Sequence, residues 1–292
     1  MTASNIPEVI ATVAEMQRRV RELRAAGRRV GVVPTMGALH DGHLSLVEAA
    51  RKYADVVVTT IFVNPTQFAP HEDFGKYPRT LQADLEALGR VGCELAFVPE
   101  PGEVYPPGYS TYVEPPSVAA PLEGVCRPGH FRGVATVVLK LFNIVPADVA
   151  CFGQKDFQQA LVIRRMVADL NVPIRIEVCP IVREPDGLAM SSRNRYLSPA
   201  ERERSLALSR ALRRAEELVA AGERRASVVR EAMQHVLADA VDRLDYATIA
   251  DPETLEEPET IERPVVALIA AVVGTTRLID NMILTPPSNR QA

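Results

Sequence analysis

The chain has 292 residues, 47% of them hydrophobic and 24% charged, with a formal net charge of −4. That length holds one large or two ordinary domains, and the composition is that of a soluble globular protein. The charge argues against a basic nucleic-acid surface, and the longest apolar run, Val265 to Val273, falls far short of the ~20 residues that span a bilayer. Cys93, Cys126, Cys151 and Cys179 show no CxxC spacing, so they read as buried thiols in a reducing compartment. The N-terminus lacks the apolar core of a signal peptide, and a cytosolic protein is expected.

In chain order, Val9, Val13, Met16, Val20 and Leu23 recur at helical spacing and predict a helix over Pro7 to Ala26. A strand at Val30 to Val33 runs into a turn holding His40 and His43, and a helix follows over Leu44 to Tyr53. The β-branched run Val56 to Val63 predicts a strand buried on both faces, stopped by Asn64-Pro65. A helix over Leu81 to Val91 and a strand at Leu95 to Val98 come next. Pro99 to Gly129 reads as loops. A helix over Gly133 to Ile144, a strand at Val149 to Phe152, a helix from Gly153 through Leu170 and a strand at Ile174 to Val178 complete the alternation. Strands alternating with helices imply a parallel sheet with right-handed crossovers. Arg183 to Gly187 reads as a linker. Helices over Pro199 to Ala221 and Ala226 to Ala240 follow, then strands at Asp245 to Ile249, Val265 to Val273 and Arg277 to Asn281. The expected architecture is α/β: a parallel-sheet domain over residues 1–182 and a smaller α+β domain over 183–292.

Four clusters could carry chemistry. His40 and His43 lie in a strand-to-helix turn, where ligands bind in open α/β sheets and a helix N-terminus favours phosphate. Gly37 and Gly42 would let the backbone approach a bulky anion. A metal reading finds no carboxylate partner at ligand spacing for His71, His130 or His235. Gly153-Gln154-Lys155-Asp156 opens the next such turn; Lys155 suits phosphate, while Asp156 equally suits a helix cap. Gln159 shares a helix face with Asp156. Met190-Ser191-Ser192-Arg193 offers two hydroxyls and a guanidinium at a domain junction. Asn64 and Gln67 could hold a hydroxyl or a carboxylate, with loop capping as the competing role of Asn64. The Tyr77–Thr80 and Arg127–Arg132 segments read as basic loops facing solvent.

The His-Asp-Gly-His run resembles the HxGH signature of nucleotidyltransferases. With IFVNPTQF at 61–68, YPRT at 77–80, RPGHFRGV at 127–134, CFGQKDFQQ at 151–159, DGLAMSSRNRYL at 186–197 and RLIDN at 277–281, it resembles the pantothenate synthetase (pantoate–β-alanine ligase) family over nearly the whole chain. The resemblance implies a Rossmann-like N-terminal domain, a C-terminal lid and a homodimer formed mainly through the N-terminal domains. It implies ATP binding by Met36, Gly37, Ala38, Leu39, His40, Asp41, Gly42 and His43, by Gly153, Gln154, Lys155 and Asp156, and by Val182, Met190, Ser191, Ser192 and Arg193. It implies pantoate binding by Gln67 and Gln159, with Gln67 also near β-alanine. His43 would be the proton donor, with His40, Lys155 and Arg193 as catalytic partners. Magnesium would accompany ATP, with an acidic residue at or near Asp84 helping to hold it.

Gln154 stands where the family commonly has Glu, which removes a negative charge beside the implied phosphate site. Thr66 for Met and Phe157 for Tyr read as packing changes. Three rivals remain: an adenylyltransferase acting on a phosphorylated acceptor, an ATP-binding regulator without turnover, and a metal hydrolase using His40 and His43.

Overall fold

A computed structural model describes residues 6–69 and 72–287 of the chain. His71 lies outside the described residues. The chain divides into two compact units, Met1–Gln154 with Gln158–Pro180, and Lys155–Phe157 with Ile181–Ala292.

Among the described residues, the first unit is built on six strands: β1 (Glu8–Ile10), β2 (Val30–Thr35), β3 (Val56–Ile61), β4 (Leu95–Phe97), β5 (Val149–Gly153) and β6 (Arg175–Cys179). All pair in parallel, in the order β1-β4-β3-β2-β5-β6. Val30 and Val32 of β2 and Val56 and Val58 of β3 pack into one core, while Val33 and Val57 pack into another on the opposite face. That alternation is the two-residue period of a strand buried on both sides. Helices α1 (Val13–Ala25) and α6 (His130–Ile144) contribute Met16, Val20, Leu141 and Phe142 to the first core. Helices α2 (Asp41–Ala50) and α3 (Leu81–Arg90) contribute Leu46, Val47 and Leu88 to the second. The chain order reverses between β2 and β5, which creates a switch point at their carboxyl ends.

Three local expectations change here. The helix expected from Pro7 begins only at Val13, behind the cap residue Thr12. Glu8–Ile10 instead adds an edge strand against Leu95–Phe97. The loop-rich stretch also contains two short helices, α4 (Pro101–Val104) and α5 (Glu123–Cys126). Cys93, Cys151 and Cys179 are buried as expected, but Cys126 is exposed.

The second unit has an antiparallel sheet, β7 (Arg243–Ala250), β8 (Val265–Val273) and β9 (Thr276–Leu284), in that order. Helices α9 (Ala207–Ala220) and α10 (Ala226–Leu237) bury Leu208, Leu212, Val219 and Met233 in one core with Ala267 and Ile269 of β8. The single helix expected over Pro199 to Ala221 is two, because α8 (Pro199–Ser205) ends at Leu206 before α9 begins. A capping box between Ser198 and Glu201 starts α8. The remaining helix, α7 (Phe157–Asp169), follows β5 after one 3₁₀ turn, Gln154–Asp156. Among the described residues, no helix is long and apolar enough to cross a membrane.

Candidate active site

In the first unit, the turn after β2 is held from below. Gly37 and Ala38 have φ of 81° and 52°, so two successive residues are left-handed, one of them not glycine. Such a backbone costs roughly 1–2 kcal/mol per L-residue. Asp84, buried in the first turn of α3, offsets that cost. It accepts the Ala38 and Leu39 N–H groups at 3.0 and 2.8 Å and the Thr80 hydroxyl at 3.1 Å. Hydrogen bonds to a charged acceptor contribute roughly 1.5–3 kcal/mol each. Thr35 fixes the near end of the turn, donating to the Thr60 carbonyl at 2.6 Å and accepting from Gly37 N–H at 3.3 Å. A Cβ on Gly37 would meet Asp84 Oδ2 and Ile61 Cγ2 at 3.1 Å each, a tight fit that adds to the strain a side chain would carry at its φ of 81°.

The clamp delivers His40 to the N-cap of α2 and His43 one turn inside it. Their ring centroids lie 4.0 Å apart. The His40 backbone N–H donates to His43 Nδ1 at 3.4 Å. In the neutral ring that leaves the proton on Nε2, so His43 can donate there. Both rings are part-buried at a helix N-terminus, where the peptide dipoles favour anions.

Beside this turn is a neutral network. Asn64 is 1% exposed. Its Oδ1 accepts from Thr66 N–H (3.3 Å), Thr66 Oγ1 (2.9 Å) and Tyr105 Oη (2.9 Å). Burial pushes the Tyr105 phenol up to about 12, so it stays a donor. Asn64 Nδ2 donates to Gln67 Oε1 at 3.0 Å and to the Gly133 carbonyl at 3.2 Å. Asn64 therefore caps the loop and also orients Gln67. With its oxygen engaged, Gln67 presents Nε2 toward Met36, 3.2 Å from the sulfur. A thioether is a weak acceptor, so a substrate oxygen would be a better partner for that N–H. Thr66 belongs to this hydrogen-bond network, which is more than the packing change expected of it.

The Arg127–Arg132 segment departs from the solvent-facing loop expected. His130 is buried at the start of α6. Arg127 Nη1 lies 2.9 Å from His130 Nε2 and can only donate, so Nε2 accepts and Nδ1 carries the proton. That Nδ1–H donates to the Gln67 carbonyl at 2.9 Å. Glu72 holds Arg127 in a fork at 2.6 and 3.0 Å. Burial and the Arg127 charge push the His130 imidazole down to about 4. Burial raises Glu72, and the paired guanidinium brings it net below the usual carboxylate range. Gln67, Phe68, Arg127, His130 and Arg132 line a cavity of about 350 Å³. A Cβ on Gly133 would sit 2.3 Å from the Thr66 carbonyl oxygen, so only glycine lets α6 lie against this turn. Tyr77 is likewise buried, edge-on to Phe68, while Arg79 is exposed over Phe74. On α7, Gln159 is part-buried. The fully buried amide is its neighbour Gln158, which donates to the Val118 and Pro121 carbonyls and accepts from Glu123 N–H.

In the second unit, Lys155 has a 21% exposed side chain, and its Nζ lies 3.8 Å from Asp156. The Lys155 carbonyl accepts from Asn281 Nδ2 at 2.9 Å. Residues 183–187, expected as a linker, form a closed turn. Arg183 bridges Ala189, Glu184 N–H donates to the Leu188 carbonyl at 2.8 Å, and Met190 N–H donates to the Val182 carbonyl at 3.0 Å. Ser191 caps the 3₁₀ turn Ser192–Tyr196 by accepting from Arg193 N–H at 3.3 Å. Asn194 ties that turn back to Glu184 and Ala189. The hydroxyls and guanidinium thus sit on an ordered turn. Among the described residues, no group of three His, Cys, Asp or Glu side chains could hold a metal ion.

The sequence did not point to Asp84 as a clamp, to Glu72, Arg127 and His130 as the hydrogen-bonded chain behind the Gln67 carbonyl, or to Asn281 as the partner of the Lys155 carbonyl. RLIDN and RPGHFRGV were legible as motifs, but their partners lie far away in sequence.

A family model described as Pantoate-beta-alanine ligase matches residues 8–283. A Pantothenate synthetase 1 from Bradyrhizobium diazoefficiens is 54% identical over 280 residues, 95% of this chain and 98% of that protein. A crystal structure of pantothenate synthetase from Thermus thermophilus matches with a TM-score of 0.90 at 44% identity, covering 96% of this chain and 100% of its own. A pantoate-beta-alanine ligase from Francisella tularensis, complexed with "Beta-gamma ATP" and β-alanine, matches with a TM-score of 0.80 at 33% identity, covering 95% and 97%.

Proposed function

This chain belongs to the pantoate-beta-alanine ligase family, and we propose that it makes pantothenate from pantoate, β-alanine and ATP through a pantoyl adenylate. The pantoate carboxylate attacks the α-phosphorus of ATP in line, and pyrophosphate leaves. The β-alanine amine then attacks the activated carbonyl, forms the amide and expels AMP. No enzyme nucleophile is required; the work is positioning and charge stabilisation.

The observation that carries this reading is the oriented amide of Gln67, fixed by Asn64 with Nε2 offered toward Met36. A neutral donor suits a hydroxyl or a carboxylate, and it disfavours the rival with a phosphorylated acceptor. Gln159 is proposed to hold pantoate with Gln67, and Gln67 also to lie near β-alanine. Met36 to His43 hold ATP at the α2 N-terminus, with His43 donating through Nε2 to a phosphate oxygen. Gly153, Gln154, Lys155, Asp156, Val182 and Met190 are proposed as further ATP contacts. Lys155, Arg193 and His40 offset phosphate charge, and Ser191 and Ser192 donate hydrogen bonds.

Magnesium is proposed to arrive with the triphosphate, where it neutralises phosphate charge. The described side chains offer no cage for it, and Asp84 is already bonded to the His40 turn, so no step is routed through the ion. A cytosolic homodimer completes the reading.

Pantoate-dependent exchange of labelled pyrophosphate into ATP, without β-alanine, tests the proposal. Exchange that requires pantoate supports the adenylate. ATP binding with no exchange would contradict it. Lys155→Ala and Arg193→Ala should slow adenylate formation much more than the β-alanine step.

A further inference from the structure

Strand β9 carries two polar side chains to which the proposed chemistry gives no task. Asp280 and Asn281 are 3% and 2% exposed. Burying such groups is costly unless their polar atoms are matched. Asp280 takes both arms of Arg183, at 2.7 and 3.0 Å, a bidentate charge pair. It also accepts the Asn281 backbone N–H at 2.8 Å. Arg183 Nη1 reaches the Gly187 carbonyl at 3.1 Å, which closes the turn from which Met190 to Arg193 emerge. Asn281 turns its amide to the Lys155 carbonyl at 2.9 Å, across 126 residues of sequence. Neighbouring residues of one strand therefore hold two separate segments, Lys155 and the Val182–Arg193 loop. The compactness of the chain agrees: Lys155–Phe157 groups with Ile181–Ala292, although β5 before it and most of α7 after it belong to the other unit.

We propose that Asp280 and Asn281 are positioning residues for the nucleotide step, holding the Lys155 main chain and the Arg183 root of the 190–193 loop in one fixed arrangement. This rests on the reading that Lys155 and Arg193 act on ATP. A lysine ammonium sits at the end of four methylenes, so anchoring its backbone removes one source of misplacement. Displacing a reacting or stabilising group by about 1 Å can cost on the order of 100-fold in rate. Asn281 acts through Lys155, so its effect should vanish when the lysine side chain is gone.

The test is a double-mutant cycle on the full chain with Asn281→Ala, Lys155→Ala and the pair, read by pantoate-dependent pyrophosphate exchange. Asn281→Ala should lower exchange by about 10- to 100-fold, by a raised KM for ATP, a lowered maximal rate or both, with the KM for pantoate unchanged. The double variant should be no slower than Lys155→Ala alone. Additive losses would show that Asn281 acts by a general structural route and would overturn the proposal. Unchanged exchange in Asn281→Ala, with Lys155→Ala inactive, would overturn it while leaving the ATP role of Lys155 intact. Full exchange in Lys155→Ala would defeat that role, and the positioning claim with it. If Asn281→Ala does not fold, Arg183→Lys, which loses the fork on Asp280, carries the test with the same expected selective loss in the ATP parameters.

Discussion

Gln67 in the first unit and the 182–193 loop in the second are held by different physics. In the first, Gln67 is set by a neutral network of Asn64, Thr66 and Tyr105, with a glycine-only contact behind it. In the second, the 182–193 loop is set by ions: Arg183 on Asp280, and Arg202 on Glu184 and Asp186. Neutral hydrogen bonds suit a small acceptor whose hydroxyls must be told apart, because unpaired polar groups are costly there. A triphosphate instead needs cations held at fixed points, and the buried Asp280 carboxylate holds Arg183 at the root of that loop. On the proposed reading, the neutral network around Gln67 serves acceptor recognition, and the ionic network around the 182–193 loop serves nucleotide geometry together with the His40–His43 turn.

The largest expected effect breaks the neutral side. Gly133→Ala drives a methyl into the Thr66 backbone, and rigid backbone cannot give way cheaply. We expect a loss of about 3 kcal/mol or more, seen as a lowered urea midpoint, with pantoate binding abolished. A normal midpoint would mean that α6 can slide away and that the contact is not required. Gln67→Ala is milder. Removing the donor to a substrate oxygen costs about 1–3 kcal/mol, so the KM for pantoate should rise about 5- to 150-fold while that for ATP holds. An unchanged KM for pantoate would take Gln67 out of the site.

His130 sharpens the comparison through pH. Its folded value near 4 lies below its ordinary 6.5. Between those values the unfolded chain binds the extra proton, so stability is full above 6.5 and is lost as pH falls toward 4. The linkage amounts to about 2 kcal/mol between pH 7 and pH 5. Urea melts of the wild type and His130→Gln should converge by that amount on acidification; parallel pH profiles would deny the buried neutral imidazole. Smallest is Ser198→Ala, which removes the α8 cap. It should cost about 1 kcal/mol and leave both KM values unchanged. A kinetic effect would extend the nucleotide network to α8.

Much of the fold was readable because its signals are local. The alternating strands and helices, the His40–His43 turn and the Lys155 turn all stand out within a dozen residues. What escaped depends on distant partners. Val9 fits a helix by spacing until Leu95–Phe97 offers Glu8–Ile10 a strand edge. Arg127 and His130 look solvent-facing until Glu72 and the Gln67 carbonyl, 55 and 63 residues away, account for them. Asp84 is one acidic residue on an amphipathic helix until the left-handed Gly37-Ala38 backbone needs an acceptor. Asp280 and Asn281 sit within an apolar strand pattern, and only the folded chain shows what they hold.

The most direct test of the division of labour is calorimetric titration of pantoate and, separately, of magnesium ATP into the wild type, Gln67→Ala and Lys155→Ala. The account predicts a crossed pattern: Gln67→Ala loses pantoate affinity and keeps ATP, while Lys155→Ala loses ATP affinity and keeps pantoate. Loss of both ligands in both variants, or of neither, would contradict it.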